Sequence, residues 1–227
     1  MPDRTRATVR WCCAVSALLL CACASLQRPL PVISSGPEHR ERCSLPFPVA
    51  PVRFISAIEA QLPDGKKMTL IGITVIDPGG RSVRAAIMTI EGLLLFDAST
   101  RNDVITLYRA LPPFDGPEFR KALLRDVQFL LLTPAGEPQQ YGRLDNGSSI
   151  CRYGLAGGMT IDVIVHPDNS WELREYKNGS VATRIAKGAA AAGGLPGTVV
   201  LQGLQPQPYS LQLRPISAEP AKAGDEK

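Results

Sequence analysis

Residues 81–132 read RSVRAAIMTIEGLLLFDASTRNDVITLYRALPPFDGPEFRKALLRDVQFLLL, and along them the spacing of apolar residues changes from that of strands to that of a helix. The first part divides into three short apolar runs, Arg81–Thr89, Leu93–Ala98 and Asp103–Arg109, and Gly92 separates the first two. Runs of this length, bounded by glycine and polar residues, are typical of antiparallel strands joined by tight turns.

The second part of the stretch predicts one helix that begins at Pro117. Its apolar residues recur at spacings of four, four and three, which places them on one helical face. They are Phe119, Leu123, Val127 and Leu130. Pro117 suits the first turn because its missing N–H is not needed there, and Glu118 lies at the positive end of the helix dipole. We predict a helix of about 12–15 residues, preceded by Pro112-Pro113 and followed by Pro134.

Further strands are predicted on both sides of this stretch. Phe54–Leu62 alternates between apolar and polar residues and runs into the turn Pro63-Asp64-Gly65, while Asn178-Gly179 is a two-residue hairpin signature. The other predicted strands are Lys66–Ile76, Ser149–Tyr153, Met159–His166, Ser170–Lys177, Val181–Ala186, Thr198–Gly203 and Ser210–Ile216. The sequence therefore predicts a mainly β fold, an open antiparallel β-barrel or strongly curved sheet of about 11 strands, with the central helix covering its concave side.

The N-terminus has the order of a secretory signal peptide. Three arginines among the first ten residues precede the apolar run Trp11–Leu20, which is too short to span a membrane; a short core helix is the alternative. The sequence Leu20-Cys21-Ala22-Cys23 follows, and it resembles the bacterial lipobox, whose last residue is an acylated cysteine. We predict a signal peptide over residues 1–22 and lipidation of Cys23.

Such an anchor places the protein in the cell envelope. Two or three acyl chains on Cys23 hold a protein on a membrane stably, whereas a single chain does so only marginally. In the sorting rule of enteric bacteria, an aspartate after the lipidated cysteine retains the protein in the inner membrane, but here Ala24 and Ser25 follow. The resemblance therefore implies an outer-membrane lipoprotein that faces the periplasm.

Composition separates a folded domain from its flanking segments. Residues 23–52 contain six prolines and predict an extended tether, residues 53–216 the folded domain, and residues 217–227 a disordered tail. The chain has 25 basic and 21 acidic residues, a net charge of +4, which falls to +2 without the three arginines and one aspartate of the signal peptide. Because this charge is small and no block of lysine or arginine occurs, nucleic-acid binding is not expected.

The cysteines indicate a crosslink. Three of the six cysteines remain after cleavage, and if Cys23 is acylated, Cys43 and Cys151 are left as a pair. Since the periplasm is oxidising, we hypothesise a Cys43–Cys151 disulfide that pins the N-terminal segment onto the domain. Two unpaired, partly buried thiols are the alternative.

This layout resembles that of LolA and LolB, the periplasmic carrier and the outer-membrane receptor of lipoprotein sorting. The likeness covers residues 54–216: strands in meander order, a proline-bracketed helix and more strands, behind a lipidated cysteine and a linker as in LolB. It implies an open barrel whose hydrophobic cavity takes the acyl chains of client lipoproteins. One departure is Glu91, which stands where LolB has an apolar residue before the glycine of a protruding loop; Ile90 comes one residue earlier. An acidic side chain at that place disfavours insertion into a membrane.

The apolar residues of the predicted strands and helix are the candidate cavity lining. They are Met68, Leu70, Met88, Ile90, Leu93, Leu95, Phe96, Leu123, Leu124 and Phe129. The same residues would also fill an ordinary core, because a core and a lipid cavity need the same residue types. Sequence alone does not separate the two interpretations.

The mature chain offers little for catalysis or metal binding. It has two histidines, His39 and His166, and neither paired histidine and cysteine motifs nor a Gly-x-Ser-x-Gly sequence. We therefore expect no enzyme activity, no metal and no cofactor. A hydrolase that uses His166 with a serine is the least favoured alternative.

Two hypotheses of function remain. The first is a monomeric binding protein that holds acyl chains or lipidated proteins inside the barrel and releases them when the helix at residues 117–131 moves. The second is a structural or assembly lipoprotein whose barrel is filled and which acts through protein partners. An empty apolar cavity favours the first hypothesis, and a packed interior favours the second.

Overall fold

The computed structural model describes residues 30–32, 36–102, 104–179, 181–190 and 196–221. The predicted signal peptide and Cys23 lie outside these residues. Among the helices of the described part, none is long and apolar enough to cross a membrane.

The described residues form two α-helices, α1 (Pro37–Arg42) and α2 (Pro117–Leu131), and twelve strands. The strands before α2 are β1 (Val52–Gln61), β2 (Lys67–Asp77), β3 (Ser82–Met88), β4 (Leu94–Arg101) and β5 (Val104–Ala110). Those after it are β6 (Gln140–Arg143), β7 (Ser149–Leu155), β8 (Met159–Val165), β9 (Trp171–Lys177), β10 (Val181–Gly188), β11 (Val199–Gly203) and β12 (Tyr209–Pro220).

All twelve strands belong to one curved, unclosed antiparallel sheet. Its order is β5-β4-β3-β2-β1-β12-β11-β10-β9-β8-β7-β6, so the first and last strands pair in the middle. The two edges are β5 and β6, which are the strands on either side of α2 in the sequence. The predicted fold class is confirmed, a mainly β, open barrel with one main helix.

Local sequence explains the helix and the hairpins. Helix α2 begins at Pro117 as predicted, and its buried residues are Leu124, Asp126, Phe129 and Leu130. At the β9–β10 turn, Asn178 and Gly179 have φ values of 53° and 65°, the left-handed conformation that a two-residue hairpin requires and that these residue types tolerate.

Three boundaries differ from the prediction. Strand β6 is an additional strand, and its polar sequence QYGR carries no alternating pattern. Residues 217–220, predicted as part of a disordered tail, continue β12, because their backbone pairs with β1 at Val52–Ile55. The predicted tether contains α1. The structure also joins Cys43 to Cys151 in a disulfide.

The sheet buries side chains on both faces. Consecutive residues of a strand point to opposite sides, so Ile150 and Cys151 lie on different faces. Cys151 packs with Phe129 and Leu130 of α2, and this side is called the helix-covered face. Ile150 packs with Leu144 and Ile164 on the other side, called the outer face.

Candidate functional site

Among the described residues, the helix-covered face carries more clusters of buried apolar side chains than the outer face. Three clusters of buried side chains lie along it, and each includes or contacts residues of α2. Leu124 joins the cluster on β2–β4, Phe129 and Leu130 join the cluster on β7–β11, and Val127 and Leu131 contact the third. Helix α2 therefore covers the apolar face by inserting its own apolar side chains into it.

Seven of the ten predicted lining residues lie on this face. Leu70, Leu95, Phe96 and Leu124 are buried in one cluster, Met68 and Leu123 pack against it, and Phe129 belongs to the neighbouring one. These seven side chains pack together between α2 and the sheet, so they form a packed interior.

The other three predicted lining residues, Met88, Ile90 and Leu93, do not lie on the helix-covered face. Met88 pairs with Ile71, the neighbour of the inward-facing Leu70, and therefore points to the outer face. Ile90 and Leu93 are 67% and 51% exposed, because β3 ends at Met88 and both residues belong to the turn that leads into β4. Glu91, between them, is also exposed in this turn.

A buried polar cluster interrupts the apolar face under α2. Arg184 of β10 donates two hydrogen bonds to the carboxylate of Glu175, at 2.9 and 2.6 Å, and one to Asp126 of α2, at 2.6 Å. The Tyr209 hydroxyl donates to the other oxygen of Asp126 at 2.5 Å. These four residues are called the Arg184 cluster, and they connect α2 to strands β9, β10 and β12.

Burial and neighbouring charges both shift the pKa values of the groups in this cluster. Burial raises the pKa of the Asp126 carboxyl above its ordinary value, although Arg184 and Tyr209 oppose the shift. Burial alone would lower the pKa of Arg184, but its hydrogen bonds and charge interactions with Glu175 and Asp126 raise it. Burial and the neighbouring Asp126 raise the pKa of Tyr209, so its hydroxyl keeps the proton that it donates.

The Arg184 cluster was not predicted from the sequence, although one signal for it is present there. Asp126 lies three residues after Leu123 and four before Leu130, within the apolar stripe of α2. An acid in that stripe requires a buried partner. The sequence does not tell which of the 25 basic residues fills that role.

A cavity of about 350 Å³ opens at one end of the sheet beside the Arg184 cluster. It is called the mouth cavity, and the β1–β2 and β11–β12 turns form its walls. Tyr209 lines it and reaches Asp126 from there. The ring of Tyr209 lies flat against Gly203, where an added Cβ would come within 1.9 Å of the ring. Glycine at this position therefore lets Tyr209 separate the mouth cavity from the buried cluster.

The two histidines are hydrogen-bonded to neighbouring serines of the β6–β7 turn and β7. His166 Nδ1 lies 2.8 Å from Ser148 Oγ, and His39 Nδ1 lies 2.9 Å from Ser149 Oγ. Both serines are buried, at 0% and 2% exposure, and neither lines the mouth cavity. These contacts hold loops and α1 in place. No group of three or more potential metal ligands occurs among the described residues.

A solved structure shares this fold. The LolA-superfamily protein NE2245 from Nitrosomonas europaea superimposes with a TM-score of 0.55 at 9% identity, over 85% of this chain and 96% of that one. A putative outer membrane lipoprotein-sorting protein domain from Vibrio parahaemolyticus gives a lower TM-score of 0.46 at 8% identity, over 79% of this chain and 88% of that one. No protein-family model and no curated protein matches the chain. The predicted resemblance is thus confirmed at the level of the fold, which this chain shares with NE2245.

Proposed function

We propose that this chain is a lipid-anchored protein of the bacterial cell envelope that binds acyl chains, free or on lipidated proteins, against the helix-covered face of its sheet. One observation carries the proposal. A single amphipathic helix, α2, lies across the apolar face of an unclosed sheet, and the Arg184 cluster fixes it there. A helix that only completed a core would need no buried ion pair at its centre, since apolar contacts alone would hold it.

In this proposal, α2 and the acyl chain compete for the same surface. When α2 moves, an acyl chain replaces the side chains of Leu124 and Phe129 against the sheet. Each methylene that leaves water contributes about 0.8 kcal/mol, so a long chain offsets the loss of the helix contacts. The mouth cavity lies within the range of roughly 300–1,000 Å³ typical of small-molecule sites, so it can receive the first methylenes while α2 is still in place.

The location rests on the N-terminal sequence. Signal peptidase cleavage before Cys23 and acylation of its thiol would anchor the protein, and Ala24 and Ser25 favour the outer membrane. The fold shared with NE2245 supports a role in handling lipids or lipoproteins in the envelope. The proposal includes no catalytic step, since the helix-covered face provides an apolar surface and a fully paired ion cluster.

The test is a binding measurement on the mature chain without its lipid. Residues 24–227 are exported behind a non-lipidating signal peptide, so that Cys43 and its disulfide are retained. Native mass spectrometry should show fatty acid or phospholipid that co-purifies and is lost on denaturation, and added palmitate should bind. A bare mass that palmitate does not change would contradict the proposal.

A filled barrel that acts through protein partners is the second candidate, and two observations favour it: the packed interior beneath α2 and the β5 edge. Val104, Ile105, Leu107 and Tyr108 are between 37% and 69% exposed on β5, an edge strand of the sheet that the described residues form. Exposed apolar edge strands pair with strands of other chains. Failure to bind palmitate, together with a partner lost on substitution of Leu107 by lysine, would establish this alternative.

A further inference from the structure

The cover over the helix-covered face has two parts. One part is α2, and the other is residues 37–47, which precede β1 and are called the fastened segment. Phe47 of this segment is 5% exposed and belongs with Cys43 to the cluster on β7–β11, which also receives Phe129 and Leu130 of α2. The fastened segment therefore closes this half of the interior together with the C-terminal half of α2.

A covalent bond and several polar contacts hold the fastened segment. Cys43 is crosslinked to Cys151 of β7. Arg42 donates hydrogen bonds to the carbonyl oxygen of His166 at 2.8 Å and to Asn169 Oδ1 at 3.0 Å, which joins α1 to the β8–β9 turn. Because a disulfide opens only by exchange with a thiol, the fastened segment stays over β7–β11 when α2 moves.

The N-terminal half of α2 is attached less firmly than its C-terminal half. Five of the six residues 117–122 are exposed, and the sixth, Arg120, is half-buried. Burial begins at Leu124, which is 2% exposed, and Asp126 follows with its hydrogen bond from Arg184. Since a segment with few buried contacts opens most easily, the first two turns of α2 are the part that leaves the sheet at the lowest cost.

The interior beneath the N-terminal half of α2 is the cluster on β2–β4. Three side chains cover it from α2 and from the loop before α2, and they are Phe114, Leu123 and Leu124. Phe114 packs edge to face against Phe119 of α2, with 5.4 Å between the ring centroids, so the loop and the helix move together. The three side chains contain about 15 carbon atoms, close to the tail of one palmitoyl chain, and an exchange of equal apolar volume keeps an interior packed.

The mouth cavity lies next to this same half of the interior. The β1–β2 turn forms one of its walls. Ile58 of β1 and Met68 of β2, the strands that this turn joins, pack against the cluster on β2–β4. An acyl chain that enters through the mouth cavity therefore meets the cluster that the fastened segment does not cover.

We propose that the interior takes a single acyl chain, over β2–β4, while the fastened segment keeps the β7–β11 half closed. The inference rests on the proposed function and narrows it, because the ligand displaces Leu124 while Phe129 stays in its cluster. The ligand class is a lipid that inserts one chain, such as a fatty acid or a lysophospholipid. A lipid that buries two chains at once would have to displace the fastened segment as well, and the disulfide prevents this.

The test counts and locates the chains that bind to residues 24–227, the mature chain without its lipid. Native mass spectrometry at saturating palmitate gives the number bound. Palmitate with a diazirine at the end of its tail, crosslinked by light and mapped by peptide mass spectrometry, gives the location. We expect one palmitate per chain, with label in residues 67–101 and 114–124 and none in residues 149–203.

Two variants should open the closed half. Phe47→Ala removes a buried side chain of the fastened segment and keeps the disulfide, and we expect label to appear in residues 149–203. Leu45→Ala is the matched control, because Leu45 lies in the same segment but is 58% exposed, and its map should equal that of the parent. Cys43→Ala/Cys151→Ala frees the segment altogether, and we expect it to bind a second palmitate.

Three results would overturn the inference. Two palmitates on the parent, or label in its residues 149–203, would overturn the single-chain site while leaving acyl-chain binding intact. The parent's label map and stoichiometry in both Phe47→Ala and the disulfide-free variant would show that the fastened segment does not close the interior. A parent that binds no palmitate would remove the proposed function and this inference together.

Discussion

Arg184 of β10 and Asp126 of α2 form a buried ion pair, with 2.6 Å between Nη1 and Oδ1 and both side chains about 10% exposed. The pair joins the helix to the sheet. Arg184 also donates a hydrogen bond to Glu175, and Asp126 also accepts one from Tyr209. Because a buried charge without its partner is costly, the pair favours one position of α2 over all others.

Substitution of Asp126 by asparagine should loosen α2. Arg184 keeps both hydrogen bonds to Glu175, so we expect the free energy of unfolding to fall by about 1–3 kcal/mol rather than the larger cost of an unpaired charge. Palmitate should bind the variant faster, since the helix is held less firmly. The measurements are urea unfolding and stopped-flow binding. The matched control is Glu118→Gln at the exposed start of α2, which should change neither; equal effects of the two substitutions would contradict the role of the pair.

The stability that Asp126 provides should depend on pH in a defined direction. Burial raises the pKa of this carboxyl above its ordinary value of 3.8. Between pH 3.8 and the raised pKa, the folded state therefore binds more protons than the unfolded state, and stability falls as the pH rises through this window. The stability of the wild type relative to Asp126→Asn should thus grow as the pH is lowered towards 3.8. Urea unfolding of both proteins at a series of pH values measures this difference, and a difference that shrinks on acidification would refute the prediction.

Periodic segments could be predicted from the sequence, and long-range contacts could not. Helix α2 and most hairpins have local causes, such as Pro117 at the first helical turn and Asn178-Gly179 at a hairpin. Strand β6 has no such pattern, because an edge strand of four polar residues depends on its pairing with β7. The extension of β12 to Pro220 likewise depends on β1, which is more than 150 residues earlier in the chain.

The candidate site shows the same limit. The apolar residues Leu70, Phe96 and Leu124 could be selected by type, and they do lie together. Arg184 could not be selected, because Ala182 and Ala186 on the same strand give no sign that a carboxylate of α2 lies opposite. Residues 30–47 have the composition of a linker, and only the even pair of cysteines indicated that they are attached to the domain.

Removal of the Cys43–Cys151 disulfide should destabilise the domain strongly. The crosslinked residues are 108 positions apart, so the bridge restricts a long loop of the unfolded chain. We expect the Cys43→Ala/Cys151→Ala variant to lose about 2–5 kcal/mol of unfolding free energy. Alkylation of the unreduced, denatured mature chain should leave its mass unchanged. Two alkyl adducts per chain would show that the bridge does not form in the protein.

Gly203→Ala should displace the Tyr209 ring from its position in the mouth cavity. The added methyl group would lie 1.9 Å from the ring, so the ring must move and its hydroxyl must leave Asp126. We expect a loss of about 1–3 kcal/mol in unfolding free energy and easier access of palmitate. Tyr209→Phe separates the two effects, since it removes the hydrogen bond and keeps the ring; its cost should be about 1–2 kcal/mol. Identical palmitate binding in both variants would indicate that the ring does not restrict the mouth cavity.

Leu124→Ala should distinguish a ligand-binding interior from an ordinary core. Leu124 is 2% exposed and packs from α2 against Leu70 and Phe96, so its truncation should cost about 2–5 kcal/mol and leave a cavity on the helix-covered face. If acyl chains occupy this face, the cavity adds room for them and palmitate should bind more tightly. Ile164→Ala is the matched control, because Ile164 is 1% exposed but lies on the outer face. It should destabilise the protein comparably without changing palmitate affinity, as measured by titration of a fluorescent fatty acid. A similar gain in affinity for both variants would mean that general loosening, and not the helix-covered face, admits the ligand.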